Sequence, residues 1–171
     1  MSNDHDLMVR AWKENALCEE DADFRFLRRL KLADNPGRID SLAHELHDET
    51  FAKIDCTRCA NCCKTIRPGF TGEDVERIAA HLEMSPQAFI AAHLEADPPE
   101  GEYFTKQTPC PFLGEDDRCT IYDVRPEACR DYPHTNKEGF THRIYSHSAN
   151  ELTCPAVYHI VKDLRRRLRR R

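Results

Sequence analysis

Four of the chain's nine cysteines fall within eight residues, as Cys56-x-x-Cys59-x-x-Cys62-Cys63, and no other feature constrains the fold as much. Four more follow at Cys110, Cys119, Cys129 and Cys154, set in Cys110-Pro-Phe-Leu, Cys119-Thr-Ile-Tyr and Arg125-Pro-Glu-Ala-Cys129-Arg-Asp-Tyr-Pro133. Packing alone gives no reason to crowd thiols in this way. They form either a disulfide framework or thiolate-bound metal, and the redox compartment decides between the two. The opening Met-Ser-Asn-Asp-His-Asp is acidic and lacks the basic and apolar regions of a secretory signal. No apolar run approaches the roughly 18 residues of a membrane span. The chain therefore reads as cytoplasmic, where thiols stay reduced and a cysteine array binds metal or does redox chemistry.

A length of 171 residues fits one domain, and 40% hydrophobic against 32% charged residues permits a modest core. Metal crosslinks would supply stability that such a core does not. The net charge of -5 argues against a nucleic-acid binder, although Arg165 to Arg171 holds six arginines. That tail reads as the solvated end of a helix, whose last carbonyls favour cations. The competing reading, a basic tail touching RNA or an anionic surface, lacks the interleaved aromatic residues that stack on bases.

Helical periodicity dominates the rest. Phe24, Leu27 and Leu30 mark a short helical face, and Asn35-Pro36-Gly37 breaks it. Ile39, Leu42, Ala43, Leu46 and Ile54 then describe a longer amphipathic helix running into the first cysteines. His44 and His47 lie three apart on it, so both could face one metal, but a solvated helical face is expected because the cysteines already supply enough ligands. Thr71 opens a helix with Asp74 as capping partner and Val75, Ile78, Ala79 and Leu82 as its buried stripe. Ser85-Pro86 starts another, carrying Phe89, Ile90 and Leu94, and Pro98-Pro99 ends this helical hairpin. Residues 101–150 read as loop-rich, with short extended pieces at Tyr103-Phe104-Thr105 and Phe140 to Tyr145. Pro126 starts a helical turn that presents Cys129, and Tyr132-Pro133 ends it. The last helix carries Val157, Ile160, Val161, Leu164 and Leu168, with Cys154-Pro155 at its amino end, where backbone N–H groups favour a thiolate.

Cys56-x-x-Cys59-x-x-Cys62 has the spacing of iron–sulfur ligation, while paired Cys-x-x-Cys elements also build zinc sites. Neighbouring side chains diverge, so Cys62 and Cys63 are expected to part between two centres, or between one polynuclear centre and one ion. Spacing does not say which four thiols belong together. Cys18 stands alone on a helix and reads as a small buried hydrophobe. A thiol–disulfide catalyst carries its Cys-x-x-Cys after a strand, whereas Ile54-Asp55 ends a helix.

Together these motifs resemble the YkgJ-type cysteine-cluster family, described as a zinc- or iron-chelating domain and as an iron–sulfur-cluster protein. The resemblance runs from about residue 50 to residue 160 and includes the hairpin beginning Thr71-Gly-Glu-Asp. It implies a metal-binding set of Cys56, Cys59, Cys62, Cys63, Cys110, Cys119, Cys129 and Cys154. Arg125, Arg130 and Tyr132 match motif positions, and the planar fork of Arg125 suits donation to a thiolate or carboxylate. The family includes a flagellin lysine methylase, which implies catalysis in some members, but this chain has no glycine-rich strand–turn–helix loop for a methyl-donor nucleotide.

The expected fold is mainly α: a small single domain of short helices and loops around a cysteine-ligated metal centre. Residues 1–50 form a helical extension, 51–160 the cysteine-cluster domain and 161–171 an arginine-rich helix end. The expected function is metal binding through the eight cysteines in a redox, sensing or structural role, with an unidentified protein or redox partner. An iron–sulfur cluster is favoured over Zn2+ because only one Cys-x-x-Cys element is present, Cys110, Cys119 and Cys129 being spread by eight and nine residues. The alternatives are an iron–sulfur enzyme, redox or group-transferring, with an open site beside Tyr132 and His134, and a zinc-stabilised nucleic-acid or interaction adaptor using the arginine tail.

Overall fold

A computed structural model describes residues 2–97 and 102–169. The fold is mainly α, and the chain divides into two compact units, residues 1–59 with 133–171 and residues 60–132. Among the described residues, no helix is long and apolar enough to cross a membrane.

The first unit is built from α1 (Ser2–Leu30), α2 (Pro36–Phe51), α3 (Cys56–Cys59), α8 (Ile144–Glu151) and α9 (Pro155–Arg169). Helix α1 extends far beyond the face at Phe24, Leu27 and Leu30, because Trp12 and Ala16 continue its buried stripe and pack with Tyr158. The Trp12 indole N–H donates to the Glu151 carbonyl at 2.7 Å, so that ring also finds its polar partner. Asn35 caps α2 by accepting from the Arg38 N–H at 3.0 Å, with Pro36 at the first helical position. Helix α2 stops at Phe51, short of the expected Ile54, which is buried beyond it.

Helix α9 buries Ala156, Val157, Ile160, Val161 and Leu164 at helical spacing. Each large apolar side chain removed from water contributes roughly 1.5–3 kcal/mol. Ion pairs strap the same helix from its flanks. Lys162 and Arg165 reach the buried Asp23 carboxylate at 2.6 and 2.9 Å, and Lys162 also reaches Glu19 at 2.8 Å. Arg167 pairs with Glu45 and Glu49 of α2, each at 2.6 Å. Lys162 and these two arginines of the basic tail are thus engaged with acids of α1 and α2.

Residues Phe140 to Tyr145 are not extended as expected. The Asp40 carboxylate accepts from the N–H groups of Gly139 and Phe140 at 2.8 and 2.9 Å, with Gly139 in the left-handed region at φ 77°. That turn leads through a 3-10 helix (Phe140–His142) into α8, which buries Ile144, His147 and Glu151 on one face.

The second unit holds α4 (Asn61–Thr65), β1 (Gly69–Phe70), α5 (Gly72–His81), α6 (Pro86–His93), β2 (Leu94–Asp97), β3 (Glu102–Thr105) and α7 (Glu127–Asp131). The strands form an antiparallel sheet in the order β1-β3-β2, with Phe70 opposite Tyr103 and Leu94 opposite Thr105. Leu94, expected at a helix end, therefore opens a strand. Pro98-Pro99, expected to end the hairpin, lies outside the described residues. Helix α5 begins with a complete capping box between Thr71 and Asp74, and Ser85 caps α6. Each such cap contributes about 1 kcal/mol. Phe70, Val75, Ile78, Ala79, Phe89, Leu94, Phe112 and Ile121 form the core, with Cys110 and Cys119 packed at its edge.

Candidate metal centre

In the first unit, Asp55 shapes the turn that carries Cys56 and Cys59. Its carboxylate accepts from the Thr57 N–H and hydroxyl at 2.9 and 2.7 Å, and its carbonyl accepts from the Cys59 N–H at 3.1 Å. The hydrogen bond from the Thr57 hydroxyl is the main reason the Asp55 carboxyl sits below its usual range. The imidazole of the buried His5 accepts the Asp55 N–H at 3.1 Å.

Cys154 stands at the amino end of α9, where the N–H groups of Val157 and Ala156 act to lower its thiol pKa. Burial nevertheless pushes this thiol up to about 12, and the charges of Cys56 and Cys59 raise it further.

In the second unit, Ala60 adopts the left-handed conformation at φ 50° and opens α4, placing Cys62 and Cys63 in its first turn. The Cys62 thiol donates to the Cys63 sulfur, and this bond is the main cause that brings Cys63 down to about 7 against the opposing effect of burial. Lys64 lowers Cys63 further and Asp117 raises it, and the two are paired at 2.6 Å.

The Cys110 N–H donates to the Cys63 carbonyl at 2.8 Å, which brings residues 47 positions apart together by main chain. Cys119 faces Leu113 across an isolated antiparallel bridge, and Cys129 sits in α7 with its N–H on the Pro126 carbonyl at 3.0 Å. Burial pushes Cys110 up to about 11 and Cys129 up to about 12, and raises Cys119. Cys63 acts electrostatically on all three, and Cys110 and Cys119 act on Cys129. Four sulfurs of one compact unit thus share a neighbourhood.

Of the eight cysteines, Cys56 is exposed, six are half-buried and Cys154 is buried. Among the described residues, no three cysteine, histidine or acidic side chains already converge in metal-binding geometry. The fit to a metal rests on the donor set itself. Soft thiolate sulfurs select zinc, Cu(I) and iron–sulfur centres, and such sites commonly close only as the metal binds.

Three expectations outside the cysteine set are revised or sharpened. Cys18 is exposed on α1 and is not the buried hydrophobe its isolation suggests. His44 and His47 are half-buried instead of solvated, and His47 bonds the Thr135 hydroxyl at 2.8 Å and packs on the Phe51 ring. Sequence reading also missed the Lys64–Asp117 pair, whose sole trace was the acidic turn Glu115-Asp116-Asp117.

Clustered thiols on short helical turns of a mainly α chain define a cysteine-cluster metal-chelating protein. The chain belongs to the CxxCxxCC family, described as a putative zinc- or iron-chelating domain, whose model matches residues 55–155. No curated protein and no solved structure matches the chain.

Proposed function

We propose that the protein binds metal through the eight cysteines in two thiolate sets, one in each compact unit. Cys63, Cys110, Cys119 and Cys129 form one, with Cys62 hydrogen-bonded at its edge, and Cys56, Cys59 and Cys154 belong to the other. The observation that carries this reading is the main-chain bond from the Cys110 N–H to the Cys63 carbonyl at 2.8 Å, with Cys110 and Cys119 packed at the edge of one core. Four thiolates match the ligand count of a closed tetrahedral zinc site or of an iron–sulfur cluster.

Iron–sulfur is the preferred occupant, because no separate second Cys-x-x-Cys element exists among Cys110, Cys119, Cys129 and Cys154 to complete a zinc ribbon. A bound cluster would supply electron transfer or sensing chemistry, whereas zinc would supply structure alone. The chain's own contribution is to present the thiols on short helical turns at the edge of its cores and to set their charge through neighbours such as Lys64 and Asp117.

The test is the absorption spectrum and metal analysis of protein purified without oxygen. Iron–sulfur charge transfer gives a brown protein with broad absorption near about 400 nm. Colourless protein carrying about two zinc ions per chain, from cells supplied with ample iron, would decide for zinc and a structural role.

A further inference from the structure

Helices α1 and α9 run side by side in the same direction. Trp12 packs with Tyr158 nearer their starts, and the Tyr158 hydroxyl donates to Glu19 at 2.6 Å. Further along, Lys162 pairs with Glu19 and Asp23 at 2.8 and 2.6 Å, and Arg165 Nη1 pairs with Asp23 at 2.9 Å. An open cavity of about 470 Å³ adjoins these contacts and is lined by Lys162, Arg165, Arg166 and Arg169. The four stand at positions i, i+3, i+4 and i+7, so they share one flank of α9. At the rise of an α-helix they extend over about 10 Å.

The cations of this cavity are held differently. Asp23 is 1% exposed, and its carboxylate fixes both Lys162 and Arg165 at the cavity wall. Arg166 pairs with Asp163 at 3.0 Å, but its side chain is 57% exposed, and a pair in water contributes little. Arg169 is exposed and pairs with no acid among the described residues. The dipole of α9 accounts for cations in its last turn, and Lys162 and Arg165 stand before that turn. A buried carboxylate that orients two cations beside two exposed guanidinium groups makes a preorganised site for an anion. Guanidinium forks match phosphate oxygens in pairs, whereas the ammonium of Lys162 acts as a point charge. Four cations spread over that length suit a chain of several phosphates better than a single one. Among the described residues no aromatic ring lines the cavity, so nothing there stacks on a base.

We infer that this cavity binds an oligophosphate chain, free or carried by a nucleotide, with Arg165, Arg166 and Arg169 holding its phosphoryl oxygens and Lys162 supplying charge at the inner end. None of these residues belongs to the cysteine set, so the metal-binding reading is not needed for it.

The test titrates inorganic tripolyphosphate into the full chain as purified, at about 0.15 M salt, where long-range charge effects are screened. Calorimetry reads the affinity, and metal content is followed alongside. Arg166→Gln and Arg169→Gln combined should weaken binding by about 10-fold or more, the scale of one charge-assisted contact. Both side chains are exposed, so the fold depends little on them. Arg167→Gln removes an equal charge from the other flank, where Glu45 and Glu49 hold it, and should bind like the parent. A nucleoside triphosphate should bind within about threefold of tripolyphosphate, because only the phosphate chain is read. Tripolyphosphate that fails to bind the parent overturns the inference, as does a nucleotide preference beyond that range. A loss in Arg167→Gln equal to that of the double variant also overturns it, since the effect would then be the charge of the tail. Heat that merely tracks metal stripping, alike in every variant, does the same. Single-stranded RNA bound more tightly than tripolyphosphate would overturn it in favour of a nucleic-acid surface.

Discussion

The N–H of Cys110 donates to the carbonyl of Cys63 across 2.8 Å, so main chain, not sulfur, joins the first half of the cysteine set to the second within residues 60–132. Beside that bond lies a core built on Phe70, Phe89 and Phe112, whose rings pack at 5.8 to 6.4 Å between centroids. Local structure in this unit therefore has support that does not depend on metal.

Metal removal under reducing conditions should accordingly keep most of the helical signal in the far ultraviolet but lower the thermal midpoint by about 10 °C or more. Differential scanning of the protein before and after chelation checks this. An unchanged midpoint after verified metal removal would show that the cysteines do not hold the fold.

Glu151 should make the protein less stable as pH rises. It is 2% exposed on α8, and burial first, with the Asp23 charge next, pushes its carboxyl up to about 9. A carboxyl raised in the folded state stabilises fully below the unfolded value near 4.5, and that contribution is lost as pH climbs towards 9. The penalty reaches about 3 kcal/mol at pH 7. Glu151→Gln should therefore flatten the fall of the thermal midpoint between pH 5 and 9, compared with the parent at equal metal content. Parallel curves for the two proteins would show that Glu151 is not held protonated.

The straps of α9 should differ sharply in worth. Asp23 is 1% exposed and faces two cations, so Asp23→Ala leaves Lys162 and Arg165 without their shared partner and should cost on the order of 3 kcal/mol. Arg167 meets Glu45 and Glu49 at the surface, where Arg167→Ala should cost less than about 1 kcal/mol. Urea denaturation of both variants checks the ranking, and metal content should match the parent in each. A larger loss from Arg167→Ala than from Asp23→Ala would contradict it.

Much of this was legible in the sequence where the signal is local. The Thr71–Asp74 box, the Ser85-Pro86 start and the stripe of α9 all depend on neighbours within one or two turns, and all are present. Helix α1 was legible only near its end, because its first half buries few side chains, chiefly His5, Trp12 and Ala16. The segment after Gly139 was misread because its turn is set by Asp40, a residue about a hundred positions away. The same holds at the site. The cysteines announce themselves by spacing, but the meeting of Cys63 with Cys110 through main chain joins residues far apart in sequence. The Arg125–Tyr122 stack is the exception, since a three-residue separation could have revealed it.

The central claim is that eight cysteines bind metal and Cys18 does not, and residue-resolved alkylation of native protein tests it most directly. Cys18 is exposed on α1 and is expected to react at once with a thiol reagent. Cys56, Cys59, Cys62, Cys63, Cys110, Cys119, Cys129 and Cys154 should resist until chelator strips the metal, although seven of them are not buried. Mass spectrometry showing those eight modified as fast as Cys18, before any chelator is added, would contradict the account.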